Sequence, residues 1–371
     1  MKIYMNRTVL EEALDRIRFI YDHEENIYVS SSGGKDSAVC TELAIMVARE
    51  KGRLPVDVCF LDQESEYQAT VDYFRKLEKR KEVRLHWFQV PFELNNATTM
   101  YDDNLWLKCW HEEEKEKWIR PHEPNAITDI NALKKPNEEL DFYQACDRMG
   151  DYVFGKDSRY VAIVGMRAQE SIRRFILMNS KMEKPVYFDK PWASHGAREN
   201  AYRLYPIYDW CVSDVWKFIS NNKISYNEMY DKMFKMGVPS NNMRVSSLIH
   251  ETGVHGLKIL QVAEPETFDR LVNRIGGINT YNQMHKTEMY AIKKLPVMFK
   301  SWKEYRDYLL LTICSEESRK IFMKAFYKDR DGDDELIKSQ VNTILVNDIC
   351  LTKYGNTLRA KINKEKYNKG K

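Results

Sequence analysis

The stretch Ile27-Tyr28-Val29-Ser30-Ser31-Ser32-Gly33-Gly34-Lys35-Asp36-Ser37 decides the fold of this chain. Its first three residues read as a short apolar strand. The run Ser32 to Ser37 then opens a helix whose apolar face is carried by Val39, Leu43, Ile45, Met46 and Val47, and which ends near Gly52. Strand, glycine turn and helix start, in that order, make a phosphate cradle. Two glycines let the backbone approach an anion without Cβ interference, the first amides of the helix point at it, and the helix dipole adds attraction. Lys35 supplies a cation and Ser32 and Ser37 supply hydroxyls, so a nucleotide phosphate is the expected guest. The spacing is not that of a Walker A loop. There, four residues separate the outer glycine from Gly-Lys-Ser/Thr, whereas here Gly33 and Gly34 are adjacent and Asp36 follows the lysine.

Outward from this run, strands and helices alternate. Val56 to Leu61 reads as a buried strand, Val71, Phe74 and Leu77 mark a helix, and Val83 to Phe88, Tyr160 to Val164 and Arg203 to Ile207 read as further strands. The alternation predicts an α/β fold with a doubly wound, mostly parallel sheet, in which ligands bind beyond the carboxyl ends of the strands. Asp62 follows the second strand directly and is expected to hold a ribose hydroxyl or a magnesium ion near the nucleotide. Glu64 and Glu66 read as first-turn acids of the next helix. The run Gly165-Met166-Arg167-Ala168-Gln169-Glu170-Ser171-Ile172-Arg173-Arg174 follows the strand Val161 to Val164. Gly165 permits a turn at the sheet edge, and Arg167, Arg173 and Arg174 offer forked donors suited to phosphate or sulfate oxygens, Arg167 foremost.

These motifs, with Tyr205-Pro206-Ile207-Tyr208-Asp209-Trp210, Asp214-Val215-Trp216 and Asn227-Glu228-Met229-Tyr230 after them, resemble the phosphoadenosine phosphosulfate (PAPS) reductase family of the PP-loop ATP pyrophosphatase superfamily. The likeness is strongest to a subgroup of regulatory and mobile-element proteins that includes co-activators of immunoglobulin-binding protein genes. It extends through Gly256-Leu257 and Glu264-Pro265-Glu266-Thr267-Phe268 to Gly276-Gly277. The resemblance implies an adenine nucleotide α-hydrolase-like fold that binds ATP or PAPS. It also implies that Ser32, Gly33, Gly34, Lys35, Asp36 and Ser37 grip the β,γ-pyrophosphate as a leaving group while the α-phosphate is attacked. Lys35, Asp36 and Ser37 then sit at the chemistry, magnesium bridges the phosphates, and Gly165, Arg167, Arg173 and Arg174 line the anion site. Assimilatory reductases carry a late cysteine nucleophile in a Glu-Cys-Gly segment, and neither Cys314 nor Cys350 sits in such a context. Three functions therefore stand open: cleavage of ATP at the α-β bond, sulfonucleotide reduction or sulfur transfer by an external thiol, and a regulator that reads a nucleotide with a DNA-binding or other protein partner.

Composition bounds the rest. The chain has 371 residues, 43% hydrophobic and 30% charged, which fits a globular protein with an appended module. A net charge of +3 makes no global case for nucleic-acid binding and leaves only a local basic face for it. No run approaches the ~18 to 20 apolar residues needed to span a bilayer, and the N-terminal stretch lacks a signal-peptide core, so a cytoplasmic protein is expected. The seven cysteines form no Cys-x-x-Cys pair, so neither an iron-sulfur cluster nor zinc is expected, and no metal-ligating set is read. Cys40 and Cys59 fall in apolar patterns and read as buried thiols, and Cys109-Trp110-His111 reads as packing. Residues 1–280 are expected to form the nucleotide-binding domain, with an insertion at about 95–155. There Trp106, Trp110 and Trp118 have the spacing of a packing helix stripe, and Trp118-Ile119-Arg120-Pro121 is placed to reach the substrate. Residues 281–371 are expected to be a mainly helical module with a basic, frayed tail from Lys361 to Lys371. Within it, Trp302 to Leu311 and Glu316 to Tyr327 read as a helical hairpin, and Asp329 to Glu335 as a capped surface turn that lacks the last glutamate of an EF-hand loop.

Overall fold

The apolar runs become strands in the computed structural model: β1 (Ile27–Ser30), β2 (Val56–Leu61), β3 (Val83–Phe88), β4 (Phe92–Asn95), β5 (Trp106–Cys109), β6 (Tyr160–Val164), β7 (Ala193–His195) and β8 (Ala201–Leu204). The structure describes residues 6–96, 98, 106–135, 138–170, 174–175, 187–196, 198–245, 247–249, 256–279, 292, 294–326, 334–345, 348, 351 and 354. Six strands make one sheet in the order β3-β2-β1-β6-β8-β7, and only β7 runs antiparallel to its neighbour. The central strand β1 pairs with β2, Ser30 opposite Cys59, and with β6, Ser30 opposite Val164. Strand order reverses between β1 and β6. The loops that leave these two strands therefore emerge side by side at the carboxyl edge, where open α/β sheets bind ligands.

Two compact units account for the chain. Met1–Phe92, Trp110–Lys115 and Arg120–Ser246 form the first, and Glu93–Cys109, Glu116–Ile119 and Ser247–Lys371 form the second. In the first unit, the helices are α1 (Val9–His23), α2 (Lys35–Glu50), α3 (Gln68–Glu78), α4 (Phe142–Phe154), α5 (Val212–Asn221) and α6 (Met229–Lys235). Strand residues alternate between faces. Val29, Val161 and Ile163 join a core with Ile17 of α1, Leu43 of α2, Phe74 of α3 and Val215 of α5. Tyr28 faces the other way and meets Phe154 of α4 and Tyr160. The Pro206 to Trp210 segment fastens α1: Arg16 donates to both Asp209 carboxylate oxygens at 2.8 Å, and the Trp210 indole donates to Val9 O at 3.0 Å.

Helix α4 corrects the expected insertion. It is the crossover helix that returns the chain from β3 to β6, so the extra stretch stops before Asp141, whose side chain accepts from Gln144 N at 2.8 Å while Gln144 Oε1 accepts from Asp141 N at 3.0 Å. The tryptophans form no helix stripe. Trp106 opens β5, Trp110 follows it with φ 58°, and Trp118 follows a 3-10 turn at Glu112–Lys117. The strand expected at Arg203 to Ile207 lies earlier, at β8, because the chain turns with Tyr208 N donating to Tyr205 O at 3.1 Å.

The second unit holds the β4-β5 pair and helices α7 (Leu257–Ala263), α8 (Pro265–Arg274), α9 (Trp302–Thr312), α10 (Glu316–Phe326) and α11 (Asp334–Leu345). The expected hairpin is α9 and α10, and α11 completes the core with Tyr305, Leu309, Phe322, Phe326, Val341 and Ile344. By compactness this unit takes in the chain from 247 together with residues 93–109. Two contacts show why: Trp106 packs on the α9–α11 core, and Arg274 of α8 donates to Lys108 O at 2.9 Å. Asp334 and Glu335 are first-turn acids of α11, while the rest of the expected turn and the tail from Lys361 lie outside the described residues. Among the described residues, no helix is long and apolar enough to cross a membrane.

Candidate functional site

The loop between β1 and α2 is held from several sides. Gly33 has φ +70°, and a Cβ there would lie 2.9 Å from Thr70 Cγ2 of α3, so both the backbone and the packing require glycine. Gly34 is the N-cap of α2 and has no side chain with which to cap it. The Lys35 amide donates to the Tyr230 hydroxyl at 3.1 Å. Asn227 donates to Gly33 O at 3.3 Å and to Thr70 Oγ1 at 2.8 Å. The Asn227-x-x-Tyr230 pattern is therefore a latch on the glycine loop. Ser37 turns its hydroxyl to Gly34 O at 3.0 Å, and Ser32 is exposed. From β6, Gly165 presses against the same helix start: a Cβ on it would lie 2.7 Å from the backbone of Asp36 and Ser37.

Cations converge on this edge. Lys35 is 4% exposed, with Nζ 3.3 Å from Asp36 Oδ2, 3.4 Å from Met243 O and 5.3 Å from the centre of the Tyr230 ring. Arg167 is buried and donates to Asp36 Oδ1 at 2.5 Å. Its Nη2 also lies 3.6 Å from Glu170 Oε1. Arg174 pairs with the same Glu170 carboxylate, and Arg244 donates to the Glu170 carbonyl at 3.5 Å. Burial pulls the Lys35 pKa below its ordinary value, Arg167 and Arg244 pull it further, and Asp36 opposes them. Arg174 is lowered first by burial and then by Arg244. Burial and the neighbouring arginines both disfavour these positive charges, and a bound anion would favour them. The structure thus brings Ser32, Gly33, Gly34, Lys35, Asp36, Ser37, Gly165, Arg167 and Arg174 to one sheet edge. Arg173 lies outside the described residues. Arg244 carried no sequence signal, and Tyr230 and Asn227 were visible only as parts of a family motif.

Asp62 is a correction. It is fully buried, and four donors occupy its oxygens: Arg120 Nη2 at 2.5 Å and Glu64 N at 3.0 Å on Oδ1, Trp87 Nε1 at 2.8 Å and Gln89 Nε2 at 2.9 Å on Oδ2. Four donors fill the lone-pair sites of a carboxylate. Asp62 therefore ties β2, β3 and the Arg120 segment together and presents no oxygen to a ribose or a magnesium ion. Glu64 and Glu66 are likewise not first-turn acids, since α3 starts at Gln68 and both are buried ahead of it. Trp110 closes the cluster. Its indole donates to Asp62 O at 2.7 Å, its amide donates to Glu64 Oε2 at 3.2 Å, and the Arg120 guanidinium lies 5.0 Å from its ring centre. Arg120 thus pairs with Asp62 inside the fold through Nη2.

Burial, and then the Asp62 charge, push Glu66 up to about 8. A carboxyl raised from 4.5 in the folded state holds its proton there while the unfolded chain releases it, so stability falls as pH rises from about 4.5 to about 8. The slope from this one group reaches about 1.4 kcal/mol per pH unit. Glu66→Gln is expected to flatten it, which urea denaturation at pH 5.5 and pH 8 will show as a smaller difference between the two midpoints.

Residues 26–280 match the phosphoadenosine phosphosulfate reductase domain, and residues 237–356 match a second family, a domain of unknown function (DUF3440). The chain is 29% identical over 315 residues to the uncharacterized protein YbdN of Escherichia coli (strain K12), covering 83% of this chain and 76% of that protein. It is also 29% identical over 236 residues to the uncharacterized protein MJ0973 of Methanocaldococcus jannaschii, covering 61% of this chain and 44% of that one. Among solved structures it is similar to the PAPS reductase from Candida auris in a phosphate complex, with a TM-score of 0.32 and 13% identity over 62% of this chain and 94% of that chain. It is similar as well to the FMN adenylyltransferase of Candida glabrata with FMN and the ATP analogue AMPCPP, with a TM-score of 0.36 and 13% identity over 62% of this chain and 64% of that chain. The reductase-domain match covers well over half of the chain and contains the glycine loop, the Gly165 turn and the latch at Asn227 and Tyr230. This chain belongs to the phosphoadenosine phosphosulfate reductase domain family.

Proposed function

We propose that this protein binds an adenine nucleotide with its phosphates on the Ser32–Ser37 loop and cleaves ATP between the α and β phosphates, passing the adenylyl group to an acceptor. The observation that carries the reading is the convergence of buried Lys35 and Arg167 on the start of α2, whose N-cap is Gly34. Attack on the α-phosphorus drives negative charge onto the departing pyrophosphate. Donors fixed in advance around that charge lower the barrier, because no solvent has to reorganise. Lys35 and the first amides of α2 are the donors for the leaving group, and Arg167 with Arg174 is placed to hold the acceptor or a second anion.

Among the described residues, no group of three or more His, Cys, Asp and Glu could hold a metal. Asp36, moreover, is already paired with Arg167 and Lys35. A magnesium ion would therefore be carried in on the nucleotide's own phosphates, where it would add charge neutralisation. Thiol chemistry finds less support. Burial raises the pKa of Cys40, Cys59, Cys146 and Cys314, the last to about 11, and the thiolate is the nucleophile. Sulfonucleotide reduction would draw on an external thiol.

Product analysis with magnesium and ATP, and with PAPS in parallel, tests the reading. AMP and pyrophosphate are expected from ATP, with the rate reduced about 100- to 1000-fold in Lys35→Ala, the loss typical of one transition-state donor. Nucleotide bound without products, whatever acceptor is added, would make the protein a nucleotide-reading regulator instead.

A further inference from the structure

Tyr230 touches both of the groups that Lys35 offers to an anion. Its hydroxyl accepts from the Lys35 amide at 3.1 Å, and its ring centre lies 5.3 Å from Lys35 Nζ. The same oxygen would lie 3.4 Å from a Cβ on Gly34, so it stands beside the N-cap of α2. The ring is fixed from behind. It is buried, meets Trp216 of α5 edge-on at 5.4 Å, and stands one turn of chain after Asn227, which holds Gly33 O and Thr70. A phenylalanine would fill the same space, so the oxygen is there for its hydrogen bonds.

A phenolic hydroxyl has one proton to give as well as lone pairs to receive. Toward the Lys35 amide it can only receive, and its own proton therefore points elsewhere. Burial pushes the Tyr230 phenol well above its ordinary pKa and the Lys35 amide draws it part of the way back, so the proton stays on the oxygen at neutral pH. The amide also polarises the O–H bond, as one member of a hydrogen-bond chain strengthens the next. In effect the first donor of α2 is carried one oxygen further out.

We propose that Tyr230 is a phosphate-binding donor of the nucleotide site: held by the Lys35 amide, its hydroxyl donates a hydrogen bond to an oxygen of the pyrophosphate end of the bound nucleotide. The inference rests on the nucleotide-binding reading of the glycine loop. It adds a neutral donor to a set otherwise made of amides and cations. As charge builds on the departing pyrophosphate, the phenol is already aligned and nothing has to reorganise around it. No bond to Tyr230 forms or breaks, and its proton remains on the phenol oxygen throughout.

Titration calorimetry of the full chain with inorganic pyrophosphate, with ATP, and with AMP, which lacks the pyrophosphate end, tests this. Tyr230→Phe keeps the ring against Trp216 and removes the oxygen. It is expected to weaken pyrophosphate and ATP about tenfold, as the loss of a hydrogen bond to a charged group does, and to move AMP much less. Tighter binding would mean that the hydroxyl obstructs the Lys35 amide, and an equal loss for AMP would mean that it only supports the loop. Either result overturns the proposal, and so does unchanged affinity. A second variant separates the two roles even where Tyr230→Phe fails to fold. With 3-fluorotyrosine in place of Tyr230, the phenol becomes a better donor and a poorer acceptor. Pyrophosphate should then bind more tightly, whereas a hydroxyl that merely caps Lys35 gives weaker or unchanged binding and overturns the proposal. Wild-type protein that binds neither pyrophosphate nor ATP sinks the parent reading as well. Binding that is lost in Lys35→Ala and indifferent to both changes at Tyr230 sinks the tyrosine donor alone.

Discussion

Alanine in place of Gly165 is expected to weaken nucleotide binding by at least about 100-fold, a larger loss than removal of any one surface cation. The added Cβ would lie 2.7 Å from the carbonyl carbon and oxygen of Asp36 and from the amide nitrogen of Ser37. These are backbone atoms in the first turn of α2, so no side chain can swing aside, and either the turn after β6 or the helix start must retreat. Overpacking of this kind costs about 1–3 kcal/mol of stability. The affinity loss comes from geometry, because the amides and Lys35 move off the phosphate position together. Gly52 supplies the control. Its φ is +67° with open space around it, so Gly52→Ala strains the backbone at the far end of α2 and leaves the cradle alone. Calorimetric titration of both variants with ATP, alongside thermal melts, should show comparable losses of stability and a binding defect in Gly165→Ala only.

Arg120→Met is expected to be the most destabilising single change outside the apolar core. It leaves Asp62 fully buried with the neutral donors Trp87 and Gln89 and no counter-charge, beside buried Glu64 and Glu66. Removing one partner of a buried pair costs about 3–5 kcal/mol, a large share of the ~5–15 kcal/mol that holds a domain folded. Urea denaturation reads the loss directly. Adding Asp62→Asn to Arg120→Met should return part of it, with a coupling between the two sites of at least about 1 kcal/mol. Additive losses would mean that Arg120 contributes by packing on Trp110 and not by its charge.

The sequence disclosed what is local. The glycine loop, α2 and the strands that flank them are written in contiguous residues whose period and composition carry their own physics, and their order fixed the doubly wound sheet. Asp62 was legible as a residue at a strand end but not in its role, because three of its donors stand on residues 87, 89 and 120, far along the chain. Arg244 was hidden for the same reason. Its importance lies in where it meets Glu170, and no spacing rule connects the two. Helix α4 could have been found: Asp141-x-x-Gln144 is a capping box, overlooked because the long stretch before it has no period. The tryptophans at 106, 110 and 118 misled because a spacing that fits a helix also fits a strand end, a turn and a 3-10 exit.

The segment Met243-Arg244-Val245 serves the cradle three times: a carbonyl on Lys35, a guanidinium on Glu170 and, from Val245, a methyl 3.8 Å from where a Gly34 Cβ would stand. Immediately after it, at 247, the chain enters the second unit. A cut that spares the cradle must therefore fall after Val245. A fragment ended at Gly237 would keep every strand of the six-stranded sheet and would still have lost one wall of its nucleotide site.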